Sequence, residues 1–250
     1  MDPRINAIDL RLKSIKEIIA VMSGKGGVGK SLLSSVIALS LARMEYKVGL
    51  LDLDFHGPSC NVILGVKGLS FIEDKGIVPP RVYGIKIMSI SFYINEEVDY
   101  LPLRGSDITN ALIELLAITR WGSLDYLIVD MPPGTGDELL DLIRFVKKFK
   151  TLIVTIPSRL AIATVGRLIK LLKESRRPIL GIIENMRSIE TDLVKNFAKE
   201  YNINYLGWIP FDPQVEDALG DVDKLVKTLF ARKVKEIVIK NLIDSNKIES

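Results

Sequence analysis

The feature that most constrains this chain of 250 residues is a glycine-rich loop between an apolar run and a helical pattern. The loop reads Ser23-Gly-Lys-Gly-Gly-Val-Gly-Lys-Ser31 and contains the pattern G-x-x-x-x-G-K-[ST]. Residues Ile18–Met22 before it are apolar and β-branched, which predicts a buried strand, and residues Leu32–Met44 after it predict a helix. Strand, glycine loop and helix in this order are the context in which the pattern binds phosphate groups.

The chemistry of the loop follows from its residue types. Glycines allow the backbone to curl, so that successive N–H groups point at phosphate oxygens, and the start of a helix adds further N–H groups. Lys30 is expected to reach the β- and γ-phosphates of a nucleotide, and Ser31 to place its hydroxyl on Mg²⁺. The predicted nucleotide-binding residues of this segment are Gly24, Lys25, Gly26, Gly27, Val28, Gly29, Lys30, Ser31 and Leu32.

Acidic residues end two further apolar runs. Residues Val48–Asp54 predict a strand that ends in Asp52 and Asp54, and residues Tyr126–Asp130 predict one that ends in Asp130. Carboxylates at the carboxyl ends of parallel strands face the crevice where an α/β sheet binds its ligand. Together with the glycine loop, Asp130 is predicted to hold Mg²⁺ through water. Asp52 and Asp54 suit a site with Mg²⁺ and an attacking water, and the alternative is that they only cap a strand end.

Strand and helix patterns alternate along the rest of the chain. This alternation predicts a mostly parallel sheet with helices on both faces, in a single domain over residues 1–250. A lead-in helix or arm is predicted over Ile5–Lys16, a loop or hairpin over Gly65–Gly84, and a C-terminal helix over Val222–Ile243. The other predicted strands are 84–90, 151–156, 179–184 and 205–209, and the other predicted helices are 107–120, 161–174 and 192–201.

Asn185 follows the predicted strand 179–184 at the ligand edge of the sheet. Its amide can pair with the edge of a purine, and Pro210 and Phe211 can flank the base. Guanine recognition of the N-K-x-D kind requires a lysine next, whereas Met186 follows here, so adenine and therefore ATP are favoured. The alternative is that Asn185 is only a capping residue, with no role in binding a base.

Composition excludes several classes of function. The net charge of +3 without a block of like charge gives no expectation of nucleic-acid binding, and no apolar run is long enough for integral membrane association. A single cysteine, Cys60, excludes a disulfide within the chain and indicates a reducing, cytoplasmic setting. The basic C-terminal helix is interpreted as packing on the sheet, with a membrane-surface helix as the alternative.

The loop also resembles that of the deviant Walker A ATPases, K-G-G-x-G-K-[ST], through its second lysine, Lys25. The resemblance implies a homodimer in which Lys25 reaches the nucleotide of the partner subunit, in a role similar to that of an arginine finger. It also implies that Asp54 positions the water that attacks the γ-phosphate, and that Asp52 lies near the metal. The resemblance thus gives Lys25, Lys30 and Asp54 as catalytic residues, and Ser31, Asp52 and Asp130 around Mg²⁺.

Several stretches together resemble the Mrp/ApbC family of P-loop ATPases, relatives of the MinD and ParA group. They lie between about Ile18 and Pro213, and include Leu51–Ser59, Trp121–Asp137 and Ile179–Met186. The resemblance implies slow ATP hydrolysis and a role in assembly or carriage of iron–sulfur clusters, with assembly or client proteins as partners. In that family the cluster lies between two subunits, on a CxxC motif after the E-N-M segment. Here residues 187–191 contain no cysteine, so the thiolate ligands of a cluster are missing.

The alternative function is a MinD- or ParA-like positioning ATPase on a membrane or DNA surface.

Overall fold

The computed structural model describes residues 2–55, 57–67, 69, 72–93 and 105–243, and contains a central sheet with short accessory strands. His56, which the sequence indicates to be a loop residue, lies outside the described residues. The strands are β1 (Ile15–Ser23), β2 (Val48–Asp52), β3 (Ile72–Glu73), β4 (Ile77–Val78), β5 (Arg81–Val82), β6 (Ile85–Ser89), β7 (Leu124–Asp130), β8 (Lys150–Thr155), β9 (Ile179–Arg187) and β10 (Tyr205–Pro210).

Helices connect most of these strands. A short 3₁₀ segment, Ile90–Tyr93, follows β6. The α-helices are α1 (Pro3–Leu12), α2 (Lys30–Arg43), α3 (Cys60–Ile63), α4 (Gly105–Ile118), α5 (Asp137–Phe145), α6 (Arg159–Glu174), α7 (Leu193–Glu200), α8 (Gln214–Ala218), α9 (Val222–Leu225) and α10 (Leu229–Asn241).

The central sheet has the strand order β10-β9-β8-β1-β7-β2-β6-β5. Neighbouring strands are parallel except β5 and β6, which are antiparallel. The strand that carries the glycine loop, β1, therefore lies in the middle, with β7 on one side and β8 on the other. The predicted mostly parallel α/β sheet is confirmed.

Two apolar cores, one on each face of the sheet, hold the helices. One core contains apolar side chains of α1, α4, α5, α6 and α7, and the other contains those of α2, α3, α8, α9 and α10. Successive residues of β1 alternate between them, since Ala20 and Met22 belong to the first core, and Ile19 and Val21 to the second. A strand buried on both faces explains why β1 reads as a continuous apolar run rather than as an alternating one.

The two ends of the chain differ from the prediction. The lead-in helix ends at Leu12 rather than near Lys16, because Ile15 already pairs with Leu124 of β7 and is buried there. The predicted long C-terminal helix is divided into α9 and α10. Thr228 starts the second helix, since its hydroxyl accepts a hydrogen bond from the Ala231 N–H, as is typical of a helix N-cap.

The basic helix α10 packs on the sheet, as the preferred interpretation predicts. Its apolar residues Phe230, Val234, Ile237 and Val238 are buried against α2 and β10. The apolar face of α10 is therefore buried inside the protein and does not face outward as a membrane-surface helix requires. Within the described residues, the helices lack the length and apolar character that crossing a bilayer would require.

Residues Gly65–Gly84 contain an antiparallel pair, β3 with β4, within the region predicted as a loop or hairpin. The strand β5 adds to the edge of the central sheet from the same region.

Candidate functional site

Two buried carboxylates mark the centre of the site. Asp52 ends β2 and Asp130 ends β7, and the two residues are register partners on neighbouring strands. Both are 0% exposed. The expected meeting of acidic strand ends at one edge of the sheet is thus present in the fold.

Three polar side chains from the start of α2 contact the carboxylate of Asp130. The Lys30 ammonium lies 2.8 Å from Asp130 Oδ2, and the Ser31 hydroxyl donates to the same oxygen at 2.5 Å. The Ser34 hydroxyl donates to Asp130 Oδ1 at 2.7 Å. Lys30 is itself only 6% exposed, so this is a buried and well-bonded ion pair. Removal of one partner of such a pair is strongly destabilising, because the other charge is left buried and uncompensated.

The carboxylate of Asp52 is held by backbone groups. Its Oδ2 accepts hydrogen bonds from the N–H groups of Ser59 and Cys60 at 3.1 and 3.2 Å, and its Oδ1 accepts one from the Asp54 N–H at 3.1 Å. Burial, followed by the nearby charge of Asp130, raises the pKa of Asp52 from 3.8 to about 7. Burial beside both carboxylates also raises the pKa of the Cys60 thiol well above its ordinary value, so this thiol stays protonated at neutral pH.

The raised pKa of Asp52 predicts that the ligand-free protein loses stability as the pH rises. From about pH 4 to about pH 7 the folded chain binds this proton more tightly than the unfolded chain, so the free energy of unfolding decreases across that range. We expect Asp52 to lower the free energy of unfolding by roughly 2 to 4 kcal/mol between pH 4 and pH 8. Urea unfolding of the wild type and Asp52→Asn at several pH values checks this. The variant should show a flatter pH dependence, and equal slopes in the two proteins would contradict the assignment.

The glycine loop has the shape that its composition predicts. Gly27 and Gly29 adopt left-handed conformations, with φ of 75° and 79°, which residues with a Cβ rarely adopt. Gly29 is also the N-cap of α2 and supplies no side chain, so the first N–H groups of the helix remain available to a ligand. The helix begins at Lys30, two residues before the predicted start.

A cavity of about 700 Å³ opens above the loop. Its apolar wall comes from helices distant in the chain, through Val62, Val215, Leu219 and Phe230. The predicted site residues that line it are Gly26, Gly27, Val28, Gly29, Lys30, Ser31, Leu32, Asp54, Asn185, Pro210 and Phe211.

Gly24 and Lys25 do not line this cavity. A Cβ on Gly24 would lie 2.4 Å from the Thr164 hydroxyl oxygen, so close packing against α6 accounts for this glycine. The Lys25 backbone is anchored, because its carbonyl accepts a hydrogen bond from the Ser23 hydroxyl at 2.9 Å. Its half-buried side chain forms no ion pair with another described residue.

Asp54 lies at the rim of the cavity and is half-buried. Its Oδ1 accepts a hydrogen bond from the Gly57 N–H at 3.1 Å, which orients the carboxylate within the loop that follows β2. The other carboxylate oxygen has no such bond among the described residues. A carboxylate oriented in this way can accept a hydrogen bond from a water at the cavity rim.

Asn185 lies within β9, which extends to Arg187, three residues beyond the predicted end. Its amide nitrogen donates to the Val28 carbonyl at 2.9 Å, and so contacts the glycine loop directly. The amide oxygen is buried and has no partner among the described residues. Phe211, at 60% exposure, lies on the outer side of the cavity.

Sequence reasoning missed some of the site. Ser34 lies one helical turn after Lys30, so the helical spacing was the available signal. The apolar wall gave no such signal, because its residues come from α3, α8 and α10, and only the packing of these helices brings them together.

The residues present fit a magnesium ion. The Asp130 carboxylate, the Asp52 carboxylate and the Ser31 hydroxyl offer hard oxygen donors, which Mg²⁺ prefers. Asp130 is already compensated by a cation, the Lys30 ammonium, which shows that this buried carboxylate accommodates positive charge. The Cys60 sulfur lies close to both carboxylates, but a protonated thiol is a poor ligand for Mg²⁺.

Solved structures with a similar fold include proteins with a bound nucleotide. A nucleotide-binding protein from Archaeoglobus fulgidus in complex with ADP superposes with a TM-score of 0.74 and 33% identity, covering 89% of this chain and 93% of that one. The septum site-determining protein MinD from Pyrococcus horikoshii, complexed with Mg-ADP, superposes with a TM-score of 0.69 over 94% of this chain and 98% of its own. At 18% identity, MinD shows the fold alone.

Several sequence relatives of the chain share one name. The iron-sulfur cluster carrier protein of Aquifex aeolicus is 39% identical over 83% of this chain, and that of Saccharolobus solfataricus is 38% identical over 87%. The chain spans 61% of the Aquifex protein, 65% of its Rickettsia felis counterpart and 80% of the Saccharolobus protein. The model of the ParA family described as NUBPL iron-transfer P-loop NTPase matches residues 14–244. The chain therefore belongs to the family of NUBPL iron-transfer P-loop NTPases.

Proposed function

We propose that the chain is a magnesium-dependent ATPase that works as a homodimer in the assembly or carriage of iron–sulfur clusters. The observation that carries the proposal is the buried contact of Lys30 with Asp130 beneath the glycine loop. Lys30 is a cation at the phosphate-binding loop, and Asp130 is an anion suited to a divalent cation. A triphosphate with its cation would give each of them a partner of opposite charge, so neither buried charge would be left unpaired.

Each residue of the site has a role in this proposal. Lys30 and the N–H groups from Gly26 to Ser31 bind the β- and γ-phosphates. Ser31, Asp130 and Asp52 would hold Mg²⁺, which when bound neutralises charge on the phosphates. Asp54 orients the attacking water, and Lys25 of the partner subunit neutralises charge that develops on the γ-phosphate.

The base site favours adenine. The partnerless oxygen of Asn185 can accept a hydrogen bond from the exocyclic amino group of adenine, whereas guanine presents an oxygen at the corresponding position. The exposed ring of Phe211 and the ring of Pro210 can flank the base.

Asp54→Ala should leave ATP binding nearly unchanged and slow hydrolysis by roughly 10²- to 10⁴-fold, because the water loses its orienting base. Calorimetric titration with ATP and Mg²⁺, together with phosphate release, measures the two effects separately. Asp54→Asn is the matched variant, since an amide oxygen still accepts from the Gly57 N–H but carries no charge. Both variants should be slow. Wild-type turnover in Asp54→Asn would remove this carboxylate from the mechanism.

The iron–sulfur role rests on the family and on the names of the relatives. The chain itself offers one thiol per subunit, Cys60, which is buried beside two carboxylates. Thiolates are the ligands of such clusters, so a dimer would supply too few of them, and from a protonated, buried position. We infer that the cluster is a cargo whose thiolate ligands come from a partner protein.

Anaerobic reconstitution with ferrous iron and sulfide tests that inference. The chain alone should bind less than about one cluster per dimer after desalting, and Cys60→Ser should behave the same way, because thiolates limit cluster binding. A cysteine-bearing scaffold protein added to the mixture should retain the cluster. A stoichiometric cluster on the chain alone would contradict the inference, while leaving the ATPase proposal intact.

A positioning ATPase on a membrane or DNA surface is less well supported. The relatives from Aquifex aeolicus and Saccharolobus solfataricus, at 39% and 38% identity, are named iron-sulfur cluster carrier proteins, and the MinD likeness reaches only the fold. The apolar face of the basic helix α10 is also buried.

A further inference from the structure

Two consecutive residues at the end of β9 lie beside the glycine loop, and the first of them bonds to it. The Asn185 amide donates to the Val28 carbonyl at 2.9 Å, and a Cβ on Gly29 would lie 2.4 Å from the same amide nitrogen. The terminal methyl carbon of Met186 would lie 3.3 Å from that Cβ. A shift of the loop backbone at Val28 or Gly29 therefore displaces Asn185 or Met186.

Met186 has an uncommon backbone conformation. Its φ is 54°, in the left-handed region that residues with a Cβ seldom adopt. A residue in this region keeps its conformation only while the contacts around it enforce it, and the ordinary region with negative φ is its alternative. The backbone of Met186 is therefore held in this conformation by its surroundings, at the point where β9 approaches the glycine loop.

The next residue, Arg187, connects this point to the protein surface. Its guanidinium lies 4.9 Å from the centre of the Trp208 ring, and its Nε donates to the Ile189 carbonyl at 3.2 Å. Its own carbonyl accepts from the Phe211 N–H at 3.1 Å. Trp208 is 43% exposed and Ile189 is 68% exposed. Arg187, Ile189 and Trp208 do not line the nucleotide cavity.

A buried acid lies near Arg187. Glu184 is 0% exposed, its Oε1 lies 3.8 Å from Arg187 Nε, and its Oε2 accepts from the Tyr205 hydroxyl at 2.7 Å. Burial and the Glu184 carboxylate raise the pKa of Tyr205, so the hydroxyl remains a donor. Arg187 is thus an ordered side chain between a buried carboxylate and an exposed aromatic ring, rather than a free surface cation.

We propose that Asn185, Met186 and Arg187 couple the glycine loop to the surface formed by Arg187, Ile189 and Trp208, so that this surface changes with the nucleotide state of the loop. The inference rests on the proposed nucleotide binding. Phosphate binding repositions the loop backbone at Val28 and Gly29, Asn185 and Met186 follow, and Arg187 moves relative to Trp208. The changing surface would give a nucleotide-dependent signal on the side of the chain where β9 and β10 end.

The chain contains its own reporter of this coupling. It has two tryptophans, Trp121 and Trp208, and Trp121 is 0% exposed. Acrylamide quenching of fluorescence therefore reports mainly on Trp208. A saturating non-hydrolysable ATP analogue with Mg²⁺ should change the quenching constant of the wild type, and Trp208→Phe should abolish that change.

Asn185→Ala removes the hydrogen bond to the loop. It should weaken nucleotide affinity by about 2- to 10-fold, and saturating ligand overcomes that loss. At saturation, the change in the quenching constant should be severalfold smaller than in the wild type. Asn196→Ala, at an exposed asparagine of α7, is the matched control and should respond like the wild type. Met186→Gly, which adopts positive φ freely but lacks the side chain beside Gly29, should also reduce the response.

The outcomes separate this inference from the proposed function. If calorimetry shows nucleotide binding by the wild type but the quenching constant does not change, the coupling is wrong and the ATPase proposal stands. A full response in nucleotide-saturated Asn185→Ala and Met186→Gly would equally overturn the coupling. If the wild type binds no nucleotide, both proposals fail.

Discussion

Lys30→Ala is expected to abolish nucleotide binding, with an affinity at least roughly 100-fold below that of the wild type. Lys30 is the buried cation of the glycine loop, and the phosphates would lose their main charged donor. Calorimetric titration with ATP and Mg²⁺ measures the loss.

The same change also leaves Asp130 as a buried carboxylate without its cation. We expect this to destabilise the folded chain by about 3–5 kcal/mol, since one partner of a buried ion pair is removed. Failure to bind could then reflect unfolding rather than a missing phosphate contact.

A double variant separates the two explanations. In Lys30→Ala with Asp130→Asn, the neutral amide can still bond with the hydroxyls of Ser31 and Ser34. The double variant should recover most of the stability in urea unfolding and still bind no ATP when titrated without Mg²⁺, a condition chosen because Asp130 is also the proposed magnesium ligand. Recovered ATP binding in it would refute the assignment of Lys30 to the phosphates.

Lys25→Ala should reduce ATP hydrolysis by about 10³-fold or more without destabilising the monomer, if its ammonium acts in the manner of an arginine finger. Lys25 does not line the cavity of its own chain and makes no ion pair with a described residue, so its removal breaks no ion pair among the described residues of the monomer. Lys13→Ala, an exposed lysine before β1, is the control and should hydrolyse ATP like the wild type. Light scattering with ATP and Mg²⁺ gives the size of each protein.

Mixing two inactive variants tests whether Lys25 acts across the dimer. In a mixed dimer of Lys25→Ala and Asp54→Ala, one site receives an intact Asp54 from its own chain and an intact Lys25 from the partner. The other site lacks both, so an equal mixture should recover about a quarter of wild-type activity, given random pairing in a twofold dimer. No recovery despite subunit exchange would mean that Lys25 acts within its own chain. A wild type that stays monomeric with bound ATP would rule out the dimer mechanism.

Local sequence was sufficient to predict the glycine loop and the charged groups around it. The loop around Gly27 and Gly29, the cation Lys30 and the acids that end β2 and β7 follow from short-range rules, because each depends on a few consecutive residues. Their expected proximity also follows, since parallel strands bring their carboxyl ends to one edge of the sheet.

The boundaries of helices and strands were less predictable. The predicted lead-in helix extended too far, because Ile15 pairs with Leu124 in the sheet instead of continuing the helix. The C-terminal helix was predicted as one long helix, whereas the N-cap at Thr228 starts a new one.

By itself, the sequence determined the α/β class, the strand–loop–helix unit and the identity of the charged groups at its centre. Tertiary structure alone decided how those charges are compensated and what surrounds them. The contact of Asn185 with Val28 and the stacking of Arg187 on Trp208 join residues that no local pattern relates. The apolar wall of the cavity likewise depends on the packing of α3, α8 and α10 on one face of the sheet. The physical reason is that backbone preferences act over a few residues, whereas burial and charge compensation depend on which distant segments share the same interior.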